Sequence, residues 1–137
     1  VITAVLDTSV AVSWYLEEAF SREAREWQRR LLEGKASLLV PSLHFSEFGN
    51  VMRTHVKRKV LSPAIAREIY DLHLEAPLDI VNPPKERLLE CALEYDATVY
   101  DAVYIQLALT HQVPFVTAER TTTPWVAKLD DLVVPLS

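Results

Sequence analysis

Five short apolar runs, at 2–6, 37–40, 78–81, 114–117 and 132–136, are spaced through the chain with longer segments of helical periodicity between them. No other feature constrains the fold as much. A strand can lie parallel to its predecessor only if a crossover of a dozen or so residues returns the chain, and that crossover is nearly always a right-handed helix. The segments that supply helices are 10–17, 21–33, 43–59, 63–73, 85–95, 101–111 and a short one at 124–128. The expected class is therefore α/β, with a mainly parallel central sheet of about five strands held between two layers of helices. Ligands of such sheets collect outside the carboxyl ends of the strands, so polar residues just past each run are the ones to weigh.

Local punctuation agrees. Ser21 with Glu23, Ser42 before Leu43, and Ser62-Pro63 are cap or first-turn signals, and Gly34 ends a helix. The Asn82-Pro83-Pro84 break separates the third run from the helix after it. One domain spanning 1–137 is expected, and half the residues are hydrophobic, enough for a core. No apolar run approaches the roughly 20 residues of a membrane span, and no basic-then-apolar leader precedes the first strand. A cytoplasmic protein without membrane contact is expected. Cys91 is the one cysteine, which excludes an internal disulfide and reads as a buried small hydrophobe. The net charge of -5 excludes a protein that blankets phosphates with lysine, but it leaves room for nucleic acid held by local cations.

Four acids are placed against apolar segments. Asp7 closes the first strand and is followed by Thr8 and Ser9; a carboxylate there is costly to desolvate unless paired, and a divalent cation is one such partner. Glu47 sits on the shoulder of a helix whose apolar face is Phe45, Phe48, Val51, Met52 and Val56, with Asn50, Thr54 and Arg58 along one polar strip. A surface ion pair is the plainer reading of Glu47. Asp101 opens a helix with one polar residue in the next eight, the pattern of a central buried helix, and reads equally as an N-cap. Glu119 lies two residues past the fourth strand, on the same sheet edge as Asp7.

Asp7-Thr8-Ser9, Glu47 with Asn50 three residues on, the segment Tyr100-Asp101-Ala102-Val103-Tyr104-Ile105-Gln106-Leu107-Ala108, and Phe115-Val116-Thr117-Ala118-Glu119 together resemble the PIN domain. Within it they are most similar to the VapC toxins of toxin–antitoxin pairs. The likeness runs almost end to end and implies a three-layer α/β/α sandwich, a Mg²⁺- or Mn²⁺-dependent endoribonuclease, a homodimer, and inhibition by a cognate small antitoxin. It also implies a catalytic set of Asp7, Glu47, Asp101 and Glu119, with Asp7, Asp101 and Glu119 on the metal and Glu47 orienting the water or a second ion. The family more often carries Asp where this chain has Glu119, one methylene longer. Ser9 and Thr117 match positions whose hydroxyls order the acids, and Asn50 matches a supporting position.

The chemistry suits the residue types. Oxygen donors fit hard cations, whereas the four histidines are scattered without a His-x₃-His pair and do not suit zinc. A divalent ion relieves repulsion among carboxylates, lowers the pKa of a bound water and stabilises charge on a scissile phosphate. Arg53, Lys57, Arg58 and Lys59 crowd the end of the Glu47 helix, where cations favour the helix C-terminus; the functional reading adds an RNA-contacting role for Arg53, Lys57, Arg58 and also Arg120. Trp14, Tyr15, Leu16, Phe20 and Trp27 are core or the lining of a groove for an antitoxin segment. An aspartyl-phosphate enzyme of the haloacid-dehalogenase kind wants a second Asp where Ser9 stands, and a receiver domain wants an acidic pair and a late lysine that are not in place. The alternatives that remain are a non-catalytic PIN-like RNA- or partner-binding domain, and a PIN nuclease of RNA processing.

Overall fold

The computed structural model describes residues 1–119, 123–129 and 132–135. Five parallel strands, β1 (Ile2–Leu6), β2 (Ala36–Val40), β3 (Asp79–Ile80), β4 (Phe115–Thr117) and β5 (Val133–Pro135), form one sheet in the order β3-β2-β1-β4-β5. Seven helices join them: α1 (Thr8–Val12), α2 (Ser21–Leu32), α3 (Leu43–Lys57), α4 (Pro63–Leu74), α5 (Leu88–Tyr95), α6 (Val99–His111) and α7 (Pro124–Leu129). The expected three-layer α/β/α sandwich with its parallel sheet is what the chain forms.

The period-two alternation of the strands divides the core in two. Ala4 and Leu6 of β1, Leu38 and Val40 of β2 and Val116 of β4 face one layer, where they meet α1, α2, α3 and α4 through Val10, Trp27, Phe48 and Ala66. Val5, Leu39 and Phe115 face the other layer and meet α5, α6 and α7 through Ala92, Leu107 and Trp125. Because both faces are covered, the strands read as nearly unbroken apolar runs. Gly34 leaves α2 with φ of +73°, a conformation that costs glycine nothing.

Three helix starts depart from expectation, in position or in capping. α1 begins at Thr8, directly after Asp7, and stops at Val12, whereas periodicity suggests 10–17; the small residues 8–13 turn at once beneath the sheet edge. Ser42 makes no cap bond to α3. Its amide and hydroxyl instead donate to Asn82 Oδ1, at 2.9 and 3.0 Å, pinning the start of α3 to the Asn82-Pro83-Pro84 break. Asp101 is not an N-cap: α6 starts at Val99, and its cap is Thr98, whose hydroxyl accepts the Asp101 amide at 3.0 Å. Ser62 caps α4 as its sequence suggests, accepting the Ile65 amide.

Candidate active site

The strand order reverses at the β1–β4 boundary: from β1 the chain builds outward to β2 and β3, then returns to place β4 on the other side. Such a switch point leaves a crevice at the carboxyl ends of the strands. Asp7 leaves β1 at that crevice. Its amide donates to the Val116 carbonyl at 3.0 Å, and its own carbonyl accepts the amides of Val10 and Ala11 to start α1. Its half-buried carboxylate accepts the Thr117 hydroxyl at 2.6 Å. The same Thr117 oxygen accepts the Glu119 amide at 3.0 Å, so one buried hydroxyl ties Asp7 to the backbone turn that carries Glu119. Glu119 itself is exposed, with the Thr123 hydroxyl 3.3 Å from its carboxylate.

Glu47 comes from the second turn of α3. Its position beside the buried ridge of His44, Phe48 and Met52 leaves it half-buried, and its Oε1 accepts the Tyr104 hydroxyl at 2.6 Å, with the Thr8 hydroxyl 3.1 Å away. Asp101 lies in the first turn of α6, half-buried, where the helix N-terminus favours a carboxylate. Burial raises its pKa, partly offset by the Thr98 hydroxyl.

Asp7 registers the whole group. Burial pushes its carboxyl up to about 7; the Thr117 hydroxyl opposes this, and the charges of Glu47, Asp101 and Glu119 each add to it. The charges of three acids from other parts of the chain thus reach Asp7 at this sheet edge. Among the described residues, no three His, Cys, Asp or Glu side chains are arranged to hold a metal ion by themselves. The donor set nevertheless fits Mg²⁺ or Mn²⁺: all the donors are hard oxygens, the charges of three other carboxylates bear on Asp7, and Mg²⁺ keeps several waters while using only one or two carboxylates.

Other residues singled out from sequence are placed as follows. Ser9 is exposed on α1, and the hydroxyl that this turn directs at the acids is that of Thr8, which is buried. Asn50 is exposed one turn beyond Glu47. Arg53, Lys57 and Arg58 are exposed at increasing distance along α3; Lys57, ten residues on, is about 15 Å from Glu47 along the axis. Arg120 lies outside the described residues. Trp14 and Trp27 are core, with the Trp14 indole donating to the Ala24 carbonyl at 2.8 Å, and Tyr15, Leu16 and Phe20 pack against them half-buried. Cys91 is buried.

Sequence reasoning missed Thr8, Tyr104 and the histidines behind them. His44 and His73, 29 positions apart, meet at 2.9 Å between their Nε2 atoms. The one available signal was the placing of His44 at the i−4 position from buried Phe48, on the apolar ridge of α3.

The sequence matches the PIN domain family over residues 4–122. No curated protein matches it. Among solved structures, it is similar to PAE2754 from Pyrobaculum aerophilum, with a TM-score of 0.73 and 18% identity over 98% of this chain and 89% of that one. A toxin–antitoxin complex from Klebsiella pneumoniae has a chain that aligns with a TM-score of 0.63 and 20% identity, covering 96% of this chain and 95% of that one. VapBC2 from Rickettsia felis, bound to a DNA fragment from its promoter, aligns at 0.65 with 14% identity over 99% and 100% of the two chains. At these identities the likeness is one of fold, and the family match carries the assignment. With its parallel sheet and a family match over residues 4–122, this chain belongs to the PIN domain family.

Proposed function

We propose that this protein is a Mg²⁺- or Mn²⁺-dependent endoribonuclease of the VapC kind, acting as the toxin of a toxin–antitoxin pair. The observation that supports the reading is the tie at the β1–β4 switch point, where the Thr117 hydroxyl donates to Asp7 and accepts the Glu119 amide; burial, with the charges of Glu47, Asp101 and Glu119 adding to it, holds the Asp7 carboxyl up. The likeness of fold to chains of two toxin–antitoxin assemblies supports a cognate antitoxin as partner. A homodimer working in the cytoplasm, with residues 1–137 as one domain, completes the proposal; no helix among the described residues is long and apolar enough to cross a membrane.

In this reading Asp7 and Asp101 would hold the metal as its principal ligands, and Glu119 would complete the set from the exposed side through a water, since no three acids among the described residues are arranged to bind the ion by themselves. When bound, the metal supplies Lewis acidity toward the scissile phosphate and acidifies water. The protein's own groups do the positioning. Thr117 holds one oxygen of Asp7 and directs the turn bearing Glu119. Glu47, anchored through Oε1, orients the attacking water for in-line displacement. Ser9 and Asn50 serve at the rim, and Arg53, then Lys57 and Arg58, meet phosphates progressively farther from the cut, with Arg120 beside Glu119.

The test is to incubate antitoxin-free protein with mixed-sequence single-stranded RNA in EDTA, Mg²⁺ or Mn²⁺, alongside Asp101→Asn. Metal-dependent cleavage that the variant loses, with its fold retained, is the expected result. Cleavage by Asp101→Asn at the wild-type rate would sink the site assignment. Absence of both cleavage and metal binding would favour the non-catalytic domain.

A further inference from the structure

Behind Glu47 runs a line of polar side chains of which the nuclease reading uses only the first, the Tyr104 hydroxyl on Glu47 Oε1. Thr8 Oγ1 lies 2.7 Å from the Tyr104 hydroxyl and 3.2 Å from His44 Nδ1. His44 Nε2 lies 2.9 Å from His73 Nε2, and His73 Nδ1 lies 2.8 Å from the Tyr15 hydroxyl. Thr8, His44, His73 and Tyr104 are buried. Tyr15 is half-buried and borders a surface cleft of about 260 Å³, lined also by Gln28, Leu32, Leu72 and Pro77. Thr8, His44, His73 and Tyr104 from four helices, with Tyr15 from the turn after α1, therefore link the acid to this cleft. His73 is held flat against Phe48 at 4.2 Å between ring centroids, and Tyr15 meets both rings edge-on.

Counting protons gives the line a direction. In its carboxylate form Glu47 can only accept. Three oxygens, Glu47 Oε1, Tyr104 OH and Thr8 Oγ1, lie within hydrogen-bond distance of one another and share two protons. The contacts of 2.6 and 2.7 Å each need a proton between the oxygens, so Tyr104 donates to Glu47 and Thr8 donates to Tyr104. Thr8 then has no proton for His44, which must donate from Nδ1. A neutral imidazole has one N–H, so His44 Nε2 accepts from His73 Nε2, and His73 Nδ1 accepts from Tyr15. Burial keeps both imidazoles neutral, holding His44 down at about 3 and His73 at about 4, and it raises Tyr15 to about 12 so that its hydroxyl stays a donor.

We infer that Tyr15, His73, His44, Thr8 and Tyr104 are positioning residues for Glu47: a one-way series of hydrogen bonds that sets both histidine tautomers and holds Glu47 Oε1 from the cleft at Tyr15 inward. The effect on catalysis rests on the nuclease reading; the tautomers do not. A half-satisfied buried network would be costly, and every buried side-chain nitrogen and oxygen among the described residues has a partner.

The test is long-range ¹H–¹⁵N correlation of the imidazoles of ¹⁵N-labelled protein in EDTA at pH 7. The expected result is His44 as the neutral Nδ1–H tautomer and His73 as the neutral Nε2–H tautomer. Either ring in the opposite tautomer, or protonated, overturns the inference. In Glu47→Ala both rings should shift toward tautomer-averaged values, and unchanged shifts would show that Glu47 does not set them. In RNA cleavage, His44→Leu should lower kcat by about tenfold or more with KM unchanged, the scale of loss when a ligand's supporting partner is removed. His44→Asn, whose amide replaces Nδ1–H, should restore kcat; equal losses in the two variants would remove the positioning role. A protein that cuts no RNA would sink the nuclease reading while the NMR result still decides the relay.

Discussion

Thr117 carries more of the site than its size suggests. Its hydroxyl donates to Asp7 and accepts the amide of Glu119, and it opposes the rise in the Asp7 pKa that burial and three neighbouring acids impose. A metal needs Asp7 ionised, so this hydrogen bond favours the binding-competent state. Thr117→Val keeps the shape and removes the bond. Mn²⁺ affinity should fall by about 10- to 100-fold, measured by calorimetric titration at fixed pH, whereas Thr117→Ser should bind nearly as wild type does. Equal affinity in Val and wild type would mean that Asp7 is not held for a metal by this contact.

At the level of elements, α6 matters most, because it delivers Asp101 and Tyr104 on one helix three residues apart and stacks Tyr104 on Phe115 of β4 at 5.7 Å. Its register is set by Thr98, whose hydroxyl takes the otherwise unpaired Asp101 amide. Thr98→Ala should cost about 1 kcal/mol in urea unfolding, and Thr98→Ser far less. The same variant should weaken metal binding, since the first turn that presents Asp101 would fray. α3 works differently: one ridge, His44, Phe48 and Met52, is buried, and Glu47 reaches the site from beside it. The exposed cations Arg53, Lys57 and Arg58 lie farther along that helix, so under the proposed function their part is to track the strand rather than to take part in the chemistry.

For the protein as a folded unit, the histidine pair predicts acid lability. Both imidazoles lie below their ordinary 6.5, His44 at about 3 and His73 at about 4, chiefly through burial. At these two rings the unfolded chain therefore binds more protons than the native one between those values, whereas Asp7, pushed up to about 7, binds its proton more tightly in the native state and works in the opposite sense. Their contribution to stability is complete above about pH 6.5 and is lost as pH falls through the native pKa values, with a slope of up to about 1.4 kcal/mol per pH unit for each ring. Because Asp7 partly offsets them in wild type, the rings are read from the difference between two proteins: urea midpoints measured from pH 7 to pH 4.5 should fall more steeply in wild type than in His73→Phe, which removes one titrating ring and leaves Asp7 in place. An equal slope in that variant would show that the pair does not drive the loss.

Much of this was legible in residue order. Strand and helix succession follows from apolar periodicity, which acts over neighbours within a turn or two, and it placed all five strands and the helices between them close to where they form. Asp7 and Glu119 could be assigned to one sheet edge because parallel topology puts every strand's carboxyl end on the same side. What folding alone settled are contacts between distant positions. Thr8 rather than Ser9 faces the acids because α1 turns directly at Asp7, and Thr98 rather than Asp101 caps α6. Thr8 meets Tyr104 across 96 positions and Thr117 meets Asp7 across 110. His44, read as one of four scattered histidines, finds His73 only when α3 and α4 pack against each other. No local pattern encodes such pairs, because the hydrogen bond between them exists only after two buried faces have excluded water and each polar atom must find its partner inside.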